Sequence, residues 1–278
     1  MRARSTAQAQ PAAPAGTIVF SHANGFPAGT YRVLFEGWRS VGWRVEAVQR
    51  FGHDPAYPVT SNWPHLRDQL VDFVASLHAG PVVLVGHSLG GFLSLLAASR
   101  RPELARGVLL LDSPIVAGWR AHSVQVAKAT GLMKRVSPGR VSRRRRWHWP
   151  SREAAHAHFA SKAAFARWDP RVLDDYVAAG LEPAPDGGVQ LAFRRETETA
   201  IYDSLPHHLP RVLRRHPLQC PAAFIGGTQS AEIRQVGLAA TRALVHERLS
   251  WIEGSHLFPM ERPDETAAEV ARLLRAMT

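Results

Sequence analysis

The sequence predicts an α/β fold, a mostly parallel sheet with helices on both faces and a mainly helical insertion, and three observations predict it. Short apolar runs rich in β-branched residues alternate with segments of helical period, as strands and crossover helices do in a parallel sheet. The runs are continuously apolar rather than alternating, which is the pattern of strands buried on both faces. The alternation fails for about a hundred residues between Pro114 and Pro217, then resumes.

Taken in order, the expected strands are TIVFSH (Thr17–His22), RVEAVQR (Arg44–Arg50), PVVLVG (Pro81–Gly86), GVLLLDS (Gly107–Ser113), AAFIGG (Ala222–Gly227) and RLSWIEG (Arg248–Gly254). Between them, Trp63, Leu66, Leu70, Phe73, Val74 and Leu77 fall on one helical stripe, as do Val270, Leu273, Leu274 and Met277. Arg262-Pro263-Asp264-Glu265 puts a proline and two acids in the first turn of the last helix, where the helix dipole favours them. Within the interruption, Ser151–Trp168 and Asp169–Leu181 read as helices, and PAPDGGVQLAF as a turn with a short hairpin. The expected organisation is a disordered lead over 1–16, a core built from 17–113 and 218–278, and a helical insertion over 114–217.

Composition narrows the function classes. The chain has 278 residues, 45% of them hydrophobic, enough for a sizeable core, and no run of eighteen apolar residues. The lead lacks the apolar stretch of a secretory leader, and the single cysteine, Cys220, has no intramolecular partner. Both fit a cytoplasmic location, and Cys220 reads as a small buried thiol. The formal charge is +11, yet three of the 34 basic residues are lysine and 31 are arginine, spread along the chain. Such a bias can arise from codon usage without selecting a partner. One dense run, Arg143–Arg146 beside Trp147 and Trp149, is read as a solvated face of the insertion rather than a nucleic-acid site.

Chemistry concentrates in VVLVGHSLGG, Val82–Gly91. Ser88 ends a buried strand and opens the helix LGGFLSLLAASRR, the context of a Gly-x-Ser-x-Gly nucleophile elbow. Gly86 and Gly90 lack the β-carbons that would clash across so tight a turn. The corner lifts the hydroxyl above the sheet beside helix N-terminal N–H groups able to hold an oxyanion. A serine hydroxyl needs a base to take its proton. Of 14 histidines, His256 is best placed, because it follows the last strand and shares the sheet edge of Ser88. His87 adjoins Ser88, but neighbouring side chains diverge at such a corner. His122, His148, His156, His158, His207, His208 and His216 fall in the insertion.

Three blocks, VFSHANGFPAG, VVLVGHSLGG and IEGSHLFPMERPDETA, resemble the α/β-hydrolase superfamily with an inserted cap, as in esterases, lipases and C–C bond hydrolases. The resemblance covers nearly the whole chain from Thr17. It implies Ser88 as nucleophile and His256 as base. The turn His22-Ala23-Asn24-Gly25-Phe26 looks like the family's His-Gly oxyanion turn, with Ala23 where glycine is usual. By that likeness the oxyanion hole is the backbone N–H groups of Leu89 and Asn24, with Ala23 or Phe26 as the alternatives to Asn24. The family places its triad acid after either of two strands, which leaves Asp112, at the end of VLLLDSP, and Glu232, beside Ala231 where an aspartate is usual. Asp112 is the favoured candidate.

The expected function is therefore a serine hydrolase acting on a small-molecule carboxylic ester or related acyl compound through an acyl-enzyme. A C–C bond hydrolase, amidase or perhydrolase on the same fold, or a weakly catalytic binding protein with a basic cap, is the alternative. No metal spacing or phosphate loop is evident, and His207-His208 alone is a weak metal signal, so no metal or cofactor is expected. Trp119, Trp147, Trp149, Phe159, Phe165 and Trp168 are read as packing residues that could also line an acyl pocket. Oligomeric state and substrate length are not legible.

Overall fold

Strand β1 (Gly16–Ser21) runs through a turn into helix α1 (Arg32–Ser40), and β2 (Trp43–Ala47) into α2 (Pro64–Ser76). Next come β3 (Val82–His87), α3 (Leu89–Arg100) and β4 (Ala105–Leu111). A segment follows with α4 (Gly139–Arg144), β5 (His148–Trp149), α5 (Arg152–Ala160), α6 (Pro170–Gly180), β6 (Leu181–Pro183), β7 (Val189–Leu191), α7 (Arg195–Asp203) and α8 (Leu209–Arg215). The chain closes with β8 (Ala222–Gly227), α9 (Ala231–Val236), α10 (Ala239–Val245), β9 (Leu249–Ile252), α11 (Phe258–Glu261) and α12 (Pro263–Arg275). This computed structural model describes residues 15–118 and 139–277. Trp119, His122 and all but the last two residues of the expected lead lie outside them.

The six-stranded sheet has the order β2-β1-β3-β4-β8-β9, and every pairing is parallel. Period-two alternation sends side chains to opposite faces. Ile18, Phe20, Val83, Val85, Leu109 and Leu111 pack with Leu34 and Trp38 of α1 and Val270 and Leu273 of α12. Val19, Leu84 and Leu110 pack on the other face with Leu66 and Leu70 of α2 and Leu93 of α3. Both faces are thus covered, which is why the central strands read as unbroken apolar runs. Each such side chain, taken fully from water, contributes roughly 1.5–3 kcal/mol before entropy is counted.

The connections from β1 and β3 leave toward opposite sides, so the strand order reverses between them. At such a switch point the loops beyond the strand C-termini part and leave a crevice. Ser88 follows β3, Asp112 follows β4 and His256 follows β9, so all three meet at that edge.

Among its described residues, the segment between β4 and β8 carries α4 to α8 and a three-stranded antiparallel sheet, β5-β7-β6. The expected hairpin is β6–β7; the third strand, His148–Trp149, lies hidden at the end of the arginine run. The helix expected over Ser151–Trp168 stops at Ala160, where the Ser161 hydroxyl donates to the His158 carbonyl, and Asp169, extended before Pro170 with ψ 131°, caps α6. Phe165 and Trp168 are carried by tight turns and pack on Tyr176. Cys220 is half-buried rather than buried, since it sits on the loop entering β8. Among the described residues no helix is long and apolar enough to cross a membrane.

Candidate active site

Ser88 occupies the corner between β3 and α3 with φ 53° and ψ −114°, a strained conformation for a residue with a side chain. Its neighbours explain how the corner closes. A β-carbon on Gly86 would lie 2.2 Å from the Gly90 backbone, and one on Gly90 would lie 1.9 Å from the Ser21 carbonyl oxygen. Neither obstacle is a flexible side chain, so glycine is required at both. The Ser88 N–H donates to the Leu111 carbonyl at 3.0 Å, and the Asp112 N–H to the Ile225 carbonyl at 2.9 Å. Sheet-type bonding therefore continues to the residues that leave the sheet.

The hydroxyl of Ser88 lies 3.0 Å from His256 Nε2, and His256 Nδ1 lies 2.7 Å from Asp112 Oδ2. Nδ1–H donates to the carboxylate, leaving Nε2 to accept from the serine. Asp112 is buried but well supplied with donors: the Gly227 N–H at 2.8 Å on Oδ1 and the Ser230 hydroxyl at 2.6 Å on Oδ2. Glu232 reaches the same imidazole nitrogen at 3.8 Å and is half exposed, its side chain 46% accessible. Of the two carboxylates left open by sequence, only Asp112 makes the hydrogen bond.

Burial of the His256 ring disfavours its charged form, but the Asp112 hydrogen bond and charge and the Glu232 charge outweigh this, and its pKa is raised above the usual 6.5. His87 behaves oppositely. Burial first, and the neighbouring His256 second, pull it down to about 3. His22 is drawn down to about 4, chiefly by burial. Both are therefore neutral braces, and of these three histidines only His256 has its pKa raised.

The turn after β1 is held by those braces. His22 Nε2 accepts from the Phe51 N–H at 3.0 Å, so its Nδ1–H donates to the Ala23 carbonyl at 2.8 Å. The Ala23 N–H donates to the Tyr31 hydroxyl at 3.1 Å, and that hydroxyl donates to His87 Nδ1 at 2.8 Å. His87 Nε2–H then donates to the His256 carbonyl at 2.9 Å. This chain ties the turn to the histidine loop. It also engages the Ala23 N–H, and the Phe26 N–H donates back to the Ala23 carbonyl at 3.2 Å, so neither alternative is free. The N–H of Asn24 makes no hydrogen bond to another described residue, and that of Leu89, first in its helix, has no intrahelical acceptor.

Sequence reasoning did not find Tyr31, Ser230 or Glu261. Glu261 is buried and accepts from the N–H and hydroxyl of Ser255, at 3.1 and 2.5 Å, fixing the loop that carries His256. Ser230 had a local signal, since it caps α9, but nothing in its spacing aims it at Asp112. Asp112, Glu232 and His256 form the one trio of metal-type donors within 4.8 Å among the described residues. Their donor atoms are already engaged with one another, Gly227 and Ser230, which suits orientation of the imidazole rather than metal ligation.

A cavity of about 480 Å³ opens above Ser88 and His256, lined also by Asn24, Phe26, Arg167 and Tyr202. Arg167 and Tyr202 come from the segment between β4 and β8, so that segment forms one wall. Of the aromatics read as packing residues, Trp149, Phe159 and Trp168 are buried, whereas Trp147 is 44% exposed under the Arg195 guanidinium.

The model of the alpha/beta hydrolase family matches residues 18–269. An abhydrolase domain-containing protein of Alternaria alternata, AFT2-1, is 29% identical over 230 residues, 69% of this chain and 82% of that protein. Monoglyceride lipase of Rattus norvegicus is 30% identical over 132 residues, covering 45% of this chain and 44% of the lipase. Among solved structures, E-2-(acetamidomethylene)succinate hydrolase aligns with a TM-score of 0.70 at 20% identity, over 94% of this chain and 91% of that one. A thioesterase domain from the curacin biosynthetic pathway aligns with a TM-score of 0.68 at 18% identity, over 94% and 92%. At these identities the structural likeness carries the fold alone.

Proposed function

The chain belongs to the alpha/beta hydrolase family, and on that premise we propose that it is a serine hydrolase cleaving a carboxylic ester or related acyl compound through an acyl-enzyme. The observation that carries this reading is the continuous run from Ser88 Oγ through His256 to buried Asp112, at 3.0 and 2.7 Å, at the floor of an open cavity.

Ser88 Oγ attacks the acyl carbon while its proton passes to His256 Nε2. Asp112 stabilises the imidazolium so formed and holds the ring in the productive tautomer. The developing oxyanion is held by the N–H groups of Leu89 and Asn24, which have no competing acceptor among the described residues. Collapse breaks the bond to the leaving group, which takes the proton from His256. Water then attacks the acyl-enzyme, giving a proton to His256, which passes it to Ser88 Oγ as the bond to the acyl carbon breaks and the acid is released. On this reading residues 114–217 act as a cap whose side chains select the substrate, supported by the place of Arg167 and Tyr202 in the cavity wall.

The test is labelling by a fluorophosphonate probe together with turnover of p-nitrophenyl esters of graded chain length. Wild-type protein is expected to label, and Ser88→Ala to lose labelling and roughly 10⁴- to 10⁶-fold of kcat. Folded wild-type protein that neither labels nor turns over any ester sinks the reading.

A further inference from the structure

A second cavity, of about 920 Å³, adjoins the first and shares Phe26, Ala164 and Tyr202 with it. Its walls include Phe159 and Phe165, and its rim carries Arg140, Arg144, Arg145, Arg146 and Lys162. Among the described residues that line it, the only carboxylate is Glu198. The cavity therefore combines an apolar wall with an excess of positive charge.

The cations are not equivalent. Arg145 is spent on structure: it donates to Glu198 at 2.9 Å and to the Tyr176 hydroxyl, and it is largely buried. This pair sits against the turn after β1, since a β-carbon on Gly25 would lie 3.0 Å from the Glu198 carboxylate and 3.4 Å from the Arg145 guanidinium. Arg146 donates to the His148 carbonyl and lies over the Trp149 ring. Arg140, Arg144 and Lys162 make no ion pair with another described residue. Sequence explains why neutralisation is scarce: the forty residues Ser113–Arg152 contain ten lysines and arginines and no aspartate or glutamate.

We infer that this second cavity is the binding site for an anionic group, a carboxylate or a phosphate, carried by the acyl substrate and held by Arg140, Arg144 and Lys162. The inference rests on the acyl-hydrolase reading of Ser88 and extends it to a substrate class. Guanidinium groups match the geometry of both anions, and a concave site with low-dielectric walls concentrates their field. The apolar wall takes the chain between the reacting carbonyl and its charged end. Of the arginine run, expected from sequence to be a solvated face, Arg143, Arg144 and Arg146 are exposed, whereas Arg145 is largely buried and paired with Glu198.

The test uses matched-length p-nitrophenyl esters whose acyl chains end in methyl, carboxylate or phosphate. At low ionic strength the anionic esters are expected to exceed the methyl-ended ester in kcat/KM by about tenfold or more, the scale of one or two partly screened ion pairs. The carboxylate and phosphate arms separate the two sources of charge. Arg144→Gln/Lys162→Gln is expected to bring the ratio toward one, whereas Arg44→Gln/Arg100→Gln, which removes the same charge elsewhere, keeps it. A wild-type ratio of one or below, a ratio preserved in the first double variant, or an equal fall in the second overturns the site. Calorimetry on Ser88→Ala separates this from failure of the chemistry. Tighter binding of the anionic ester there, without turnover by wild type, keeps the site and removes the hydrolase reading; turnover with no charge preference in either measurement removes the site alone.

Discussion

At the Ser88 end of the cleft one buried carboxylate, Asp112, has both oxygens engaged by a backbone N–H, a hydroxyl and an imidazole, whereas at the other end five cations face one carboxylate among the described residues, Glu198, which pairs with Arg145. The first arrangement is closed. Each charge or lone pair taken from water meets a protein partner, which is what burial demands. The second is closed only where it is buried, at Arg145, and open at the rim, where Arg140, Arg144 and Lys162 keep their hydration. On the proposed reading, one end holds a proton in place and the other receives a charge from outside. The contrast can be broken from either side.

The largest expected effect is at the closed end. Asp112→Asn keeps the shape but removes the charge that fixes the His256 tautomer, and kcat is expected to fall roughly 10³- to 10⁴-fold. Glu232→Gln, at 3.8 Å and half exposed, is expected to stay within about tenfold of wild type. Steady-state kinetics on a single ester ranks the two, and the reverse order moves the acid to Glu232.

Burial also separates Arg145 from its neighbours. Arg145→Leu leaves Glu198 without its partner in a site where desolvation already raises its pKa, against the lowering influence of Arg145. The expected loss is about 3 kcal/mol in unfolding free energy. Arg144→Gln is expected to change stability by no more than about 0.5 kcal/mol. Urea denaturation of both variants reads the difference, and equal losses would erase the distinction between structural and free arginines.

That distinction also marks how much was legible in sequence. Ser88 was readable because an elbow is a local device: strand, two glycines and helix lie within ten residues. His256 was readable from position, since the loop after the last parallel strand ends at the same edge. Asp112 was favoured over Glu232 but Glu232 stayed open, because both follow neighbouring strands and both reach one imidazole. The choice between them lies in the Gly227 N–H and the Ser230 hydroxyl, which converge on Asp112 from more than a hundred residues away. Likewise four consecutive arginines look equal in sequence, and only the end of α4 at Arg144 and the place of Glu198 on α7 turn Arg145 inward. Tyr31 and His87 lie 56 residues apart, so their link had no local signal.

The smallest expected effect concerns pH. The base must be neutral to accept the serine proton, so kcat/KM should fall as acid protonates His256. Its pKa is raised, with burial opposing the charge and Asp112 and Glu232 favouring it, so the acid limb should lie above 6.5. His87 and His22, drawn down to about 3 and about 4, add no limb near neutrality. Glu232→Gln removes one of the charges that raise His256, and the limb should move to lower pH while activity on the alkaline plateau is little changed. Asp112→Asn cannot imitate this, because it lowers the plateau itself. A pH profile of kcat/KM for wild type and Glu232→Gln measures the shift. A limb that stays in place would mean that the half-exposed carboxylate is screened from the ring, leaving Asp112 as the only charge that the histidine senses.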